Sequence, residues 1–276
     1  MKQWIYTAMG EAGFARARIL SPFQPEYGRT PAPALLIGAF PYGNQNNSMP
    51  DSGCVIAPFA RKNYYREAVN RMQMLAQRFR SQHGGTRSGY QILCNSPLPE
   101  KPLAAACGLG VIGRNSLVIT REVSCLFIIA AMSVPFSLEP DPVDDSFNPC
   151  AGCDSDSPAC VRSCPTGALR GDGTIDLSRC IQWYASGNGT GVPELVAKAW
   201  GRRLYGCSNC QDACVHSRSV INGATGVCGE LPAAFDGNFL LSRTDLELHA
   251  LFKGTALGLS WLSPETIRRN VRLAMR

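Results

Sequence analysis

The residues best suited to chemistry are cysteines crowded into the second half of the chain. Cys150-x2-Cys153-x6-Cys160-x3-Cys164-Pro165 is followed by Cys180 and then by Cys207-x2-Cys210-x3-Cys214. Thiolates are soft ligands, and eight of them suit two sites of four. In two-cluster ferredoxins three closely spaced cysteines hold one cubane, while a fourth, followed by proline, crosses to the other. On that pattern Cys150, Cys153, Cys160 and Cys214 hold one [4Fe–4S] cluster, and Cys164, Cys180, Cys207 and Cys210 hold a second. Proline after Cys164 fixes the turn that leads the chain away, and Gly167 is expected to relieve crowding beside the sulfides. The alternative is a pair of zinc sites, since Cys-x2-Cys pairs also make tetrahedral thiolate centres. The Cys-x3-Cys-Pro turn speaks for cubanes. The six-residue gap before Cys160 implies a bulged loop from Asp154 to Ala159.

The other five of the thirteen cysteines are Cys54, Cys94, Cys107, Cys125 and Cys228. Free cysteine behaves as a small buried hydrophobe more often than as a reactive group. Cys94 stands apart because it ends an apolar run just before the proline-rich turn Asn95-Ser96-Pro97-Leu98-Pro99, where a side chain can face a cleft. So many thiols suit a reducing compartment, and cytoplasmic localisation is expected. Glu11, Arg16 and Arg18 interrupt the first 20 residues, so no secretory leader is visible. The longest apolar run, Cys125 to Met132, falls well short of the roughly 20 residues of a membrane span. The net charge of +6 is compatible with an anionic partner such as RNA, but equally with solubility alone.

Several elements must position these cysteines. Apolar runs at Ala34–Phe40, Gln91–Cys94, Ser116–Ile119 and Cys125–Met132 read as strands. Between the first two, Asn63 caps a helix in which Ala68, Met72, Leu75 and Phe79 recur at helical spacing, and Gly84-Gly85 stops it. A second helix runs from Glu100 to Cys107, a third is expected from Val192 to Arg203, and Ser263-Pro264-Glu265 opens a fourth. In that last helix Arg268, Arg272 and Arg276 form a stripe, read as a solvated face rather than a phosphate site. Pro135 to Pro149 reads as a linker. The expected fold is therefore α+β: a mixed α/β domain over 1–142, a ferredoxin-like double-cluster module over 143–225 and a helical segment over 226–276. Gly108-Leu109-Gly110-Val111-Ile112-Gly113 matches the dinucleotide fingerprint, but helix leads in and strand leads out, the reverse of what that site requires. Its glycines are expected to let backbone approach a flat ligand.

Several blocks together make the chain resemble the epoxyqueuosine reductase family, whose members complete queuosine in tRNA with cobalamin and two [4Fe–4S] clusters. They are Pro97-Leu98-Pro99-Glu100-Lys101, Gly108 to Asn115, Cys164-Pro165-Thr166-Gly167-Ala168, Arg179-Cys180-Ile181, and Tyr205 to Asp212. Phe252-Lys253-Gly254-Thr255-Ala256 and Arg268-Arg269-Asn270 add to the likeness. The resemblance implies that the clusters relay single electrons to a corrinoid held near Pro97, Gly108, Gly110, Gly113, Arg114 and Asn115. It further implies a low-potential donor of flavodoxin or ferredoxin type, tRNA as a partner, and no membrane. The family's acid aligns with Cys94, which makes this thiol a candidate proton donor beside its plainer reading as a buried thiol. Further departures are Val111 in place of tryptophan and Val215 in place of proline. Members with longer chains carry a helical-repeat extension after the segment that ends here, which bears on tRNA as substrate. The rival reading is an electron carrier serving a partner enzyme, against which stand the roughly 140 residues ahead of the clusters.

Overall fold

The computed structural model describes residues 1–24, 32–43, 51–220 and 223–276. Helix α1 (Lys2–Glu11) and strand β1 (Arg16–Leu20) open the chain; neither is signalled by the apolar pattern. Next come β2 (Ala34–Pro41), β3 (Cys54–Ile56), α2 (Tyr64–His83), β4 (Ile92–Leu93) and α3 (Glu100–Ala106). A small hairpin of β5 (Val111–Ile112) and β6 (Val118–Ile119) precedes β7 (Phe127–Val134).

The main sheet has the order β1-β2-β7-β4, all antiparallel. Every residue of β2 is buried, as a continuous apolar run requires when helices cover both faces. Leu36 and Phe40 face α1 and α2, meeting Met9, Met72 and Phe79, while Leu35, Ile37 and Ala39 face α3 and its neighbours through Ala104, Cys107 and Leu109. The expected core stripe of α2 is the observed one, and the Asn63 side chain accepts from the Arg66 N–H as its cap. Ser116 adopts φ of 61°, which delays the expected strand at Ser116 until Val118.

The passage 135–149 contains no helix or strand, yet it is pinned. Asp141 accepts from the Tyr6 hydroxyl and the Ile19 N–H and pairs with Lys2. Beyond it lie four short helices, α4 (Ala159–Arg162), α5 (Ile181–Ala185), α6 (Glu194–Lys198) and, after β8 (Arg203–Tyr205), α7 (Asn209–Asp212). The helix expected over Val192–Arg203 is thus only five residues long. Gly201 turns at φ of 57° and the Trp200 indole donates to the Arg203 carbonyl, so the chain leaves the helix to pair with β3.

β9 (Ala234–Phe235) pairs with the other edge of β3, so one three-stranded sheet, β8-β3-β9, takes a strand from each of the three sequence segments. Helices α8 (Gly237–Leu241), α9 (Asp245–Phe252) and α10 (Pro264–Ala274) close that core. The Asn270 side chain, fully buried, donates to the Ala185 and Leu204 carbonyls at 3.0 Å each and ties α10 to the cysteine module. Arg268 pairs with Asp245 at 2.6 Å and donates to the Arg243 carbonyl, so this member of the arginine stripe braces α9. No helix among the described residues is long and apolar enough to cross a membrane.

Candidate metal centre and adjoining cavity

Two four-residue helices organise the cysteines. α4 carries Cys160 and hands on to Cys164; α7 carries Cys210 and hands on to Cys214. They lie side by side, held where the Ser163 hydroxyl donates to the Asn209 carbonyl at 3.1 Å and the Asn209 amide returns a bond to the Ser163 carbonyl at 3.2 Å. Each helix and its following turn therefore supply one sulfur to either side of the pair.

Cys150, Cys153, Cys160 and Cys214 surround one hollow of about 30 Å³, together with Arg114 and His216. The mutual influence of their charges raises Cys153 and Cys160 after burial has done so first. Cys164, Cys180, Cys207 and Cys210 gather on the other side, where burial and then the neighbouring sulfurs raise Cys180 and Cys210. Burial also raises Cys164, but bonds from the Thr166 hydroxyl and from the N–H groups of Thr166, Ala168 and Leu169 outweigh it and lower the thiol overall. Such donors favour thiolate, the form that ligates metal. Among the described residues no three His, Cys, Asp or Glu side chains stand close enough to share a single metal ion. A lone zinc needs sulfurs about 2.3 Å from one point; a cubane, with metal at its corners, holds its thiolates further apart. The donor set fits two cubanes.

The second set opens into a cavity of about 590 Å³. Its walls combine Tyr42, Phe59 and Tyr65, the main-sheet residues Phe127 and Ile129, the amides of Asn95 and Asn115, and the rim tryptophans Trp183 and Trp261. Lys101 is the sole charged side chain lining it among the described residues. Its ammonium donates to the Ser116 carbonyl at 2.8 Å, and burial lowers its pKa.

Of the residues that the resemblance places near a corrinoid, only Asn115 lines this cavity. Its side chain accepts from the Leu117 N–H and donates to the Cys125 sulfur. Pro97 is exposed on its turn. Arg114 reaches the other way, donating to the Asp154 and Ser155 carbonyls at 2.9 Å and fixing the bulged loop beside the first set. The glycines serve close backbone packing, not ligand approach: a Cβ on Gly110 would strike the Ile119 carbonyl, one on Gly113 the Ile119 side chain, and one on Gly108, at φ of 72°, the Pro142 carbonyl. Gly167, at φ of 63°, lies against Arg179, not against the sulfurs. Glu100 accepts from the Ser96 N–H at 2.8 Å, fixing the turn into α3.

Cys94 lies behind the cavity wall. Its thiol donates to the Ile129 carbonyl at 3.4 Å, and burial followed by the Glu100 charge pushes it up to about 12. Cys54, Cys107 and Cys125 are buried as expected, but Cys228 is exposed, its thiol donating to the Gly226 carbonyl at 3.9 Å. Cys125 is more than packing, since it lines the cavity and its thiol meets the Ser217 hydroxyl at 3.4 Å. Tyr65 escapes the sequence reading altogether. Its only signal is position: Tyr64 and Tyr65 follow the Asn63 cap, and as Tyr64 joins the core stripe, the next side chain must point about 100° away.

Residues 148–217 match the family described as 4Fe-4S double cluster binding domain. Fold and site together define a two-cluster iron–sulfur protein built onto a mixed α/β domain. An epoxyqueuosine reductase of Vibrio cholerae serotype O1 is 31% identical over 175 residues, 63% of this chain and 45% of that protein. The chain is thus similar to part of the epoxyqueuosine reductases, and the match spans less than half of that relative's length. The structure of epoxyqueuosine reductase from Streptococcus thermophilus has the same fold, with a TM-score of 0.82 at 20% identity over 100% of this chain and 80% of that one. So does a crystal structure of epoxyqueuosine reductase with an epoxyqueuosine-modified tRNA stem loop, with a TM-score of 0.83 at 21% identity over 99% of this chain and 80% of that one.

Proposed function

We propose that the protein is an iron–sulfur oxidoreductase of the epoxyqueuosine-reductase type. Cys150, Cys153, Cys160 and Cys214 hold the cluster that receives electrons from a low-potential flavodoxin or ferredoxin. Cys164, Cys180, Cys207 and Cys210 hold the cluster that delivers them to the cavity. One observation carries this reading: the second cysteine set forms part of the wall of the large cavity. An electron carrier has no use for such a chamber.

The lining of the cavity suits a corrin ring. The apolar faces of Phe127 and Ile129 and the amides of Asn95 and Asn115 offer a flat, hydrogen-bonding bed beside the second cluster, and these residues would hold it. When bound, the group supplies a cobalt nucleophile able to open a strained carbon–oxygen ring. The chain's own residues exclude water, orient the substrate between Trp183 and Trp261, and provide protons. A tRNA carrying an epoxide-bearing nucleoside is the proposed substrate class, and the cytoplasm the proposed compartment.

The test is absorption spectroscopy on anaerobically reconstituted protein before and after cobalamin is added and excess is removed. Retained cobalamin, followed by reduction of an epoxyqueuosine-modified stem loop, supports the proposal. Unchanged cluster absorption with no retained corrinoid rejects it in favour of electron transfer to a partner.

A further inference from the structure

The departure at Cys94 leaves the proposed reaction without its carboxylic acid. The cavity offers another donor. Tyr65 projects into it from the first turn of α2, with its ring set edge-on against Trp261 at 6.1 Å and 82°. Among the described residues its hydroxyl meets no hydrogen-bond partner, although Tyr205, Cys94 and Glu100 all stand near enough to influence it. Three neighbouring candidates are committed elsewhere, and the fourth, the Tyr205 phenol, is buried with its ring against Phe59. Tyr42 donates to the Cys125 carbonyl while accepting from Gln211, Lys101 is bound to Ser116, and Cys94 gives its proton to Ile129 behind the wall.

We infer that the Tyr65 hydroxyl, not the Cys94 thiol, is the proton donor to the substrate oxygen in this cavity. The inference rests on the reading of the site as an epoxide reductase. Deoxygenation converts an epoxide, two electrons and two protons into an alkene and water. A one-electron, low-potential reductant supplies the electrons through the two clusters. As the first ring carbon–oxygen bond breaks, the oxygen takes the Tyr65 proton; as the second breaks, that oxygen leaves as water after a second protonation, and solvent restores the phenol. Burial raises the Tyr65 pKa, but an alkoxide is a stronger base than a phenolate, so the transfer still runs downhill. The same burial keeps the phenol protonated and ready at neutral pH.

The experiment compares wild type, Tyr65→Phe, Tyr65→His and Cys94→Ala as reconstituted holoproteins, in single turnover on an epoxyqueuosine-modified stem loop with dithionite as reductant. Iron content, stem-loop affinity and the solvent isotope effect are read alongside. The expected result is a loss of about 100-fold or more in rate for Tyr65→Phe, the scale of a lost general acid, with unchanged iron and affinity. Cys94→Ala stays within about twofold of wild type. Tyr65→His, whose imidazolium loses its proton near pH 6.5, recovers turnover at pH 6 and loses it at pH 8, a signature that packing alone would not produce. If Tyr65→Phe turns over like wild type with its isotope effect intact, or if Tyr65→His shows no such pH dependence, the assignment is wrong. If wild type itself, with both clusters and cobalamin bound, leaves the epoxide untouched, the epoxide-reductase reading falls and the assignment with it.

Discussion

Cys160 and Cys210 occupy matching places on α4 and α7, yet their surroundings differ. The first site is a small hollow beside the exposed stretch 154–156, edged by Arg114 and by His216, whose ring nitrogen donates to the Pro149 carbonyl at 2.5 Å. The second opens inward on a chamber about twenty times larger, as the ratio of 590 to 30 Å³ shows. Local chemistry is nearly repeated; what differs is the tertiary wall opposite. The comparison teaches that equivalent ligand sets acquire different roles from what the remaining fold places against them. On the proposed reading one faces a donor protein and the other faces the substrate.

The largest effect should come from breaking the inner site. Cys210→Ala is expected to halve the iron from about eight per chain to about four and to abolish turnover with any reductant, as measured by iron analysis and single-turnover assay. Cys153→Ala should also remove about four irons. It should stop turnover driven by a donor protein while leaving a measurable rate with dithionite, which is small enough to reach the inner cluster directly. Equal losses with both reductants would erase the proposed division between the sites.

A smaller effect concerns the seam between the cysteine module and α10. Asn270→Ala leaves the Ala185 and Leu204 carbonyls without their donor in a fully buried position, which should cost about 1–3 kcal/mol and lower the thermal midpoint. Below that lies Cys94. Its thiol ionises near 9 when unfolded and only near 12 when folded. Its contribution to stability is thus fully present below about pH 9 and is lost as pH rises towards 12. Cys94→Ala should flatten the fall of the thermal midpoint across that window. Smallest of all, Arg268→Ala should cost no more than about 1 kcal/mol, since Asp245 is largely exposed.

The cysteine spacing was legible because short-range loops set which sulfurs can share a site, and α2 and α10 were legible because cap and stripe agree with their tertiary burial. The short α6 was not, because β8 is drawn from the helical pattern by pairing with β3, some 150 residues earlier in the chain. The cavity was not legible either. It is assembled from residues as far apart as Tyr42 and Trp261, and no local pattern marks a side chain as facing empty space. The glycine run misleads for a related reason. A glycine needed for contact with Ile119 or Pro142 looks the same in sequence as one needed for contact with a ligand.

The central claim is that eight cysteines hold two cubanes, and its most direct test is iron, sulfide and zinc analysis of anaerobically purified protein. The account predicts about eight irons and eight sulfides per chain, with negligible zinc. Zinc in place of iron would contradict it, and so would about four irons in a protein retaining all eight cysteines.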